Sequence, residues 1–231
     1  MPNFRAIIFD LDDTLYAELD FVWSGFRAVA RWLDVERGYS AEHTFAQLQS
    51  LFAESRTRVF DRWCGTFAEA DGPTSVGLVR IYREHLPQIA LAVDVQGMLR
   101  QSRSRYQLGL VTDGYWEVQR RKVDALGLTD ALDAIVYSDE FGRDAWKPHT
   151  RPFEEVLDQL ECPPEAAVYI GDNPLKDFLG ARRAGMRSLR IRRHGQLHCQ
   201  LEPASAEAAP DAEIHSFDEL EQTLQRLTQL G

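Results

Sequence analysis

Lysine is nearly missing from this chain. Of its 26 basic residues only Lys122, Lys147 and Lys176 are lysines, so arginine is the default cation. A position that keeps lysine against that bias is a candidate for needing a compact ammonium rather than a planar fork. Cysteine is scarce too: Cys64, Cys162 and Cys199 are odd in number, far apart and in no C-x-x-C pair. That pattern supports neither a disulfide framework nor a standard zinc site and leaves buried or idle thiols. No apolar run approaches the roughly 18 to 20 residues of a membrane span. Met1 to Arg5 leads straight into Ala6-Ile7-Ile8-Phe9, which is too short for a signal peptide and ends in acids. A positive excess is lacking as well, since 26 Lys+Arg face 36 Asp+Glu for a formal charge of −10. Long-range attraction to nucleic acid or to anionic membranes is therefore disfavoured. The expectation is a cytoplasmic protein with neither of those partners.

What is present reads as a globular chain, with 231 residues and 44% hydrophobic composition, enough for one large domain or a core plus an accessory domain. Five short, continuously apolar runs, at 5–9, 106–111, 134–137, 167–170 and 188–191, have the form of strands buried on both faces of a parallel sheet. Helical patterns at 116–126, 152–160 and 174–184 separate them, which predicts βαβ units and an α/β, doubly wound parallel sheet. Between the first and second runs lie about 95 residues of helical spacing without a convincing strand, far more than an ordinary crossover needs. They predict an all-helical insertion over 17–93, interrupting a core of 1–16 and 94–231, with 95–103 returning to the core as a helix. The insertion holds 11 of the 24 aromatics, as the core of a small bundle requires. Near the end, 200–211 is loop-like, and Ser216 with Glu219 forms a capping-box pattern before a helix with Leu220, Leu224, Leu227 and Leu230 on one face.

In open parallel sheets ligands bind beyond the carboxyl ends of the strands, and here those ends are acidic. The first strand runs into Asp10-Leu11-Asp12-Asp13-Thr14 and the second into Thr112-Asp113-Gly114. Lys147-Pro148 follows the third, and the fourth runs into Gly171-Asp172-Asn173 with Asp177 beyond. Several carboxylates converging on one point cannot all stay ionised without a counter-charge. A divalent cation and Lys147 would supply it, and all-oxygen ligation suits Mg²⁺.

These four segments, in this order, resemble the motifs of the haloacid dehalogenase-like superfamily of aspartate-nucleophile phosphotransferases. The resemblance spans residues 10 to 177, and the helical insertion is similar to the small cap domain of one branch. It implies that Asp10 is the nucleophile and forms an aspartyl-phosphate. Asp12 would protonate the leaving group and then accept a proton from water. Thr112, with backbone N–H groups near Leu11 and Asp113, would bind phosphoryl oxygens. Lys147 would neutralise the transferring group and hold Asp10 ionised. Mg²⁺ would sit on Asp10, the backbone carbonyl of Asp12 and Asp172, with Asp177 bound directly or through water.

The implied activity is Mg²⁺-dependent hydrolysis of a small phosphorylated metabolite, a sugar phosphate or a nucleotide monophosphate. A phosphomutase would use the same residues, and a dehalogenase would not need Asp12. A receiver-type signalling module shares the Asp, Thr and Lys but has about half this length and no insertion. Outside the set, Asp13 reads as a turn residue and Asn173 as either a helix cap or a ligand. Gln119 and Lys122 read as support behind the site. Arg190, Arg192 and Arg193 read as a solvated edge, and His194, His198 and Cys199 as a solvated loop.

Overall fold

In a computed structural model, which describes residues 4–66 and 72–229, six parallel strands form one sheet. They are β1 (Ala6–Phe9), β2 (Gln107–Thr112), β3 (Ala134–Tyr137), β4 (Ala167–Gly171), β5 (Arg187–Ile191) and β6 (Ala212–Ile214), in the spatial order β3-β2-β1-β4-β5-β6. Every residue of β1 and β4 is buried, which is why their sequences are apolar without alternation. Ile8 of β1 lies opposite Gly109 of β2 on one side and Tyr169 of β4 on the other. The strand order reverses direction at β1, and such a switch point opens a crevice at the carboxyl end of the strand.

β6 is a strand that the sequence reading did not include, lying just after the loop-like stretch 200–211. It pairs with β5 at the sheet edge, and Asp211 just before it accepts the Ser188 N–H at 2.8 Å. With three residues, of which only Ile214 is buried, it carries no periodicity for a sequence to show.

The chain divides into two compact units, Met1–Glu18 with Ala90–Gly231, and Leu19–Ile89. The second unit is helical, built from most of α1 (Glu18–Arg37) with α2 (Ala41–Glu54), α3 (Val59–Cys64) and α4 (Ser75–Glu84). Ser40 and Thr74 open α2 and α4 by accepting the N–H groups of His43 and Gly77, each satisfying a donor that the first turn leaves unpaired. Its core gathers Phe26, Leu33, Leu48, Trp63 and Leu78. Gly25 is required there: a Cβ on it would fall 2.4 Å from the Tyr82 ring, so a side chain would push α1 and α4 apart.

Around the sheet are α5 (Val93–Ser102), α6 (Trp116–Ala125), α7 (Arg151–Gln159), α8 (Asp177–Arg183) and α9 (Leu220–Gln229). Phe153, Val156, Leu157 and Leu160 from the α7 segment join Ile8, Val111 and Tyr169 in the core cluster. The helix after β4 starts at Asp177 rather than at Pro174, because Asn173 closes a turn first. Its Oδ1 accepts the Leu175 N–H at 3.0 Å and its carbonyl accepts the Asp177 N–H at 3.0 Å. The capping box at Ser216 and Glu219 is formed, and a short 3₁₀ turn leads from it into α9. Leu220, Leu224 and Leu227 are buried, while Leu230 and Met1 lie outside the described residues. All three cysteines are free, and among the described residues no helix is long and apolar enough to cross a membrane.

Candidate active site

Asp10 leaves β1 at the switch point, where its N–H still bonds the Ile170 carbonyl at 2.8 Å. Its side chain is buried and receives a hydrogen bond from the Lys147 ammonium. Lys147 also donates to Asp177 at 2.8 Å and to the Tyr169 hydroxyl at 2.9 Å, and that hydroxyl donates to Asp177 at 3.1 Å. The second Asp177 oxygen accepts the Asn173 N–H at 2.8 Å. Gly171 makes this approach possible, since a Cβ there would lie 2.5 Å from the Asp177 carboxylate. One ammonium thus ties the ends of β1 and β4 to the start of α8, and the main-chain N–H of Lys147 bonds Asp113 beyond β2 at 3.2 Å.

The charges in this cluster follow from burial and pairing. Burial pushes Asp10 up to about 6 against the pull of Lys147. Asp177 is equally buried, but Lys147 and Lys176 hold its carboxyl below the usual range. Burial opposes the charge on Lys147, yet Asp10 and Asp177 hold its ammonium well above the ordinary value. Asp172 has no ion pair among the described residues, and only Lys176 pulls it down. Burial, followed by the Asp177 and Asp10 carboxylates, pushes it up to about 9, and its Oδ2 is buried with no hydrogen-bond partner among the described residues.

Asp10, Asp172 and Asp177 each place one carboxylate oxygen within 4.8 Å of the others. Hard oxygen donors, an excess of buried negative charge and one orphaned oxygen suit a divalent cation of the Mg²⁺ kind. These residues fit the ion that the sequence implied.

Asp12 occupies a separate niche. Both of its oxygens contact the Lys122 ammonium, at 2.7 and 2.8 Å. The Tyr16 hydroxyl donates to Oδ1, and the Gln119 amide donates to Oδ2 at 3.3 Å. Burial works to raise this carboxyl, but the Lys122 charge, its hydrogen bonds and Tyr16 outweigh it and leave the group below its ordinary value. Gln119 in turn accepts the hydroxyl of Thr112 at 3.2 Å. Gln119 and Lys122, expected behind the site, are therefore in direct contact with two of its members. A cavity of about 380 Å³ brings Asp10, Asp12, Asp113, Lys147 and Asp172 together with Lys122 and Lys176. Every lysine of the chain lines it and no arginine does, so the signal that the sequence offered for Lys176, which no motif singled out, was the rarity of its type.

The remaining expectations divide. Leu11 is buried and its carbonyl accepts the N–H groups of Thr14 and Leu15, which turns the chain after Asp10. Asp13 is a turn residue with φ of 56°, and its carboxylate accepts the N–H groups of Glu18 at 2.8 Å and Leu197 at 2.6 Å. Asn173 shapes the turn before α8 without capping it. Arg190 corrects the solvated-edge expectation: it is 1% exposed and donates to the carbonyls of Asp172, His198 and Leu201. It braces the loop after β5 against the end of β4, where free carbonyls need donors. Arg192 and Arg193 pair with Glu202 and Asp94. His198 lines the cavity, but among the described residues the only His, Cys or acid group with metal-binding geometry is the aspartate triad.

Comparison with known proteins bears out the family resemblance that the strand-end motifs carried. A glyceraldehyde 3-phosphate phosphatase of Methanopyrus kandleri is 32% identical, over 94% of this chain and 95% of its own. A phosphoserine phosphatase of Thermus thermophilus is 26% identical over 94% and 97%. Among solved structures, a 2-haloacid dehalogenase from Pseudomonas syringae pv. Tomato superposes with a TM-score of 0.64 at 27% identity, covering 97% of this chain and 99% of that one. The family described as haloacid dehalogenase-like hydrolase matches residues 7–191, and the chain belongs to it.

Proposed function

We propose that this protein is a Mg²⁺-dependent phosphatase of small phosphorylated metabolites, acting through an aspartyl-phosphate on Asp10. The observation that carries this is the buried Lys147 ammonium shared by Asp10 and Asp177, beside an Asp172 oxygen that lacks a partner. A carboxylate held ionised at the switch point of a parallel sheet is a nucleophile, and phosphoryl transfer asks chiefly for positioning and charge neutralisation around it. Asp10 attacks phosphorus, the ester P–O bond breaks, and the leaving oxygen takes a proton from Asp12. Water then cleaves the aspartyl-phosphate while Asp12 takes back a proton. Thr112, Lys147 and backbone N–H groups near Leu11 and Asp113 bind the phosphoryl oxygens. Asp10, Asp172 and the backbone carbonyl of Asp12 would hold the cation, with Asp177 bound to it directly or through water. When bound, Mg²⁺ supplies positive charge to the transferring phosphoryl group.

The helical unit is, in this proposal, the cap that selects substrate. The names of the relatives direct attention to three-carbon phosphates and phosphoserine. Halide displacement, as in the dehalogenase neighbour, has no use for a second acid held by three donors, so Asp12 favours phosphate esters. The test is hydrolysis of glyceraldehyde 3-phosphate, phosphoserine, sugar phosphates and nucleoside monophosphates with Mg²⁺, measured as released inorganic phosphate. Ca²⁺ should suppress turnover, because it accepts more ligands at longer distances. Phosphate release that survives exhaustive chelation sinks the metal assignment, and an isomerised ester without phosphate release marks a mutase instead.

A further inference from the structure

Lys122 is 3% exposed, and its ammonium contacts both oxygens of Asp12. Gln119 lies three residues earlier on α6, hence on the same helix face, and links that carboxylate to the Thr112 hydroxyl. Tyr16, four residues after Asp12, closes the set. A buried ammonium is costly unless its charge is used, and a methionine would fill this position with the same stem. Lysine is also rare in this chain, and each of the three lines this one cavity. Packing alone therefore does not account for Lys122.

Resting on the phosphatase reading of the site, we propose that Lys122 is a positioning residue for Asp12. It fixes the orientation in which Asp12 takes the proton of the water that cleaves the aspartyl-phosphate. In that step the water oxygen bonds to phosphorus and the bond from Asp10 Oδ to phosphorus breaks. The electron pair of that bond returns to the Asp10 carboxylate, and one water proton passes to Asp12. Without Lys122, Asp12 keeps two weaker donors on separate oxygens and loses its alignment.

An aryl phosphate isolates the effect. Its leaving oxygen needs little protonation, so formation of the phosphoenzyme is insensitive to Asp12, whereas its hydrolysis is not. In Lys122→Met, kcat with an aryl phosphate should fall about 10²-fold, the scale of one general base, while kcat/KM stays within about threefold and KM falls in parallel. Acid-quenched protein should then carry one added phosphoryl mass at Asp10, at a higher level than the wild type. A lower kcat at unchanged KM with no accumulated phosphoenzyme is the signature of a structural role and overturns the proposal. If Lys122→Met does not fold, Lys122→Gln, which keeps a donor without the charge, is held to the same criterion. The wild-type control separates the two levels: a wild type that neither turns over any ester nor becomes labelled refutes the phosphatase reading and this inference together. A wild type that turns over beside a folded variant that accumulates nothing refutes the role of Lys122 alone.

Discussion

In the helical unit the interior is made of ring edges, with Phe26 meeting Phe52 and Phe60 at centroid distances of 5.9 and 5.7 Å and Tyr39 meeting Trp63 at 5.8 Å. Its cavity, about 370 Å³, carries Arg56, Arg58, Arg83 and Asp61 among Phe26, Phe52, Val59, Phe60 and other apolar side chains. In the sheet unit, the space beyond the strand ends is lined with carboxylates and ammonium groups, among them Asp10, Asp172, Lys122 and Lys147. Ring packing spreads its stabilisation over many contacts of about 0.1 to 0.2 kcal/mol each, so truncating a ring costs in proportion to the contacts it loses. A buried charge cluster behaves differently, because removing one partner leaves another charge uncompensated. The contrast gives the two units different kinds of vulnerability.

The sharpest way to break this contrast is Asp10→Asn. The amide keeps the volume and removes the nucleophile, so turnover should drop by on the order of 10⁴-fold or more with the fold intact. Retained phosphate release would move the chemistry elsewhere. Next in size is Lys147, where Arg conserves charge but crowds the space between Asp10 and Asp177. Both Lys147→Ala and Lys147→Arg should lose about 10² to 10³ in kcat/KM, within roughly tenfold of each other. Near-wild-type activity in the folded Arg variant would mean that only charge matters there. Asp12→Asn should cost about 10²-fold in kcat/KM with an alkyl phosphate and much less with an aryl phosphate. Equal losses on the two esters remove Asp12 from the acid role.

Stability experiments address the other side of the contrast. Phe26→Ala should destabilise the helical unit by about 3 to 5 kcal/mol, read by calorimetry; a loss under about 1 kcal/mol would deny that the ring cluster is its core. A further test concerns pH. The Asp172 carboxyl stands at about 9 in the folded, metal-free protein and near 4 in the unfolded chain, so its ionisation opposes folding. The protonated group adds its full stability below about pH 4, and that stability is lost progressively as pH rises through about 9. With chelator present, Asp172→Asn should match the wild type at pH 4 and melt higher at pH 8, by roughly 2 °C or more. Identical melting at both values would show that Asp172 already has a counter-charge.

Five of the six strands, the helical insertion and the four strand-end motifs were legible as sequence, because each leaves a local trace: an apolar run, a 3.6-residue period or an acid after a strand. β6 left none, being three residues held by an edge pairing. Arg190 was read as surface because its type is usually exposed, yet three carbonyls from two distant segments satisfy it in the interior.

By itself the sequence showed the alternation of strands and helices, the long helical stretch after the first strand, and the positions of Asp10, Asp12, Lys147, Asp172 and Asp177 after the strands. These follow from spacing along the chain, which folding cannot alter. Only the tertiary structure decided which charge faces which: that Lys147 bridges Asp10 and Asp177, that Lys122 holds Asp12, and that Asp172 is left with an unpartnered oxygen. Such pairings join residues up to 137 positions apart. They are set by how the strands order and how closely glycines such as Gly109 and Gly171 let neighbouring groups approach, which no local pattern records.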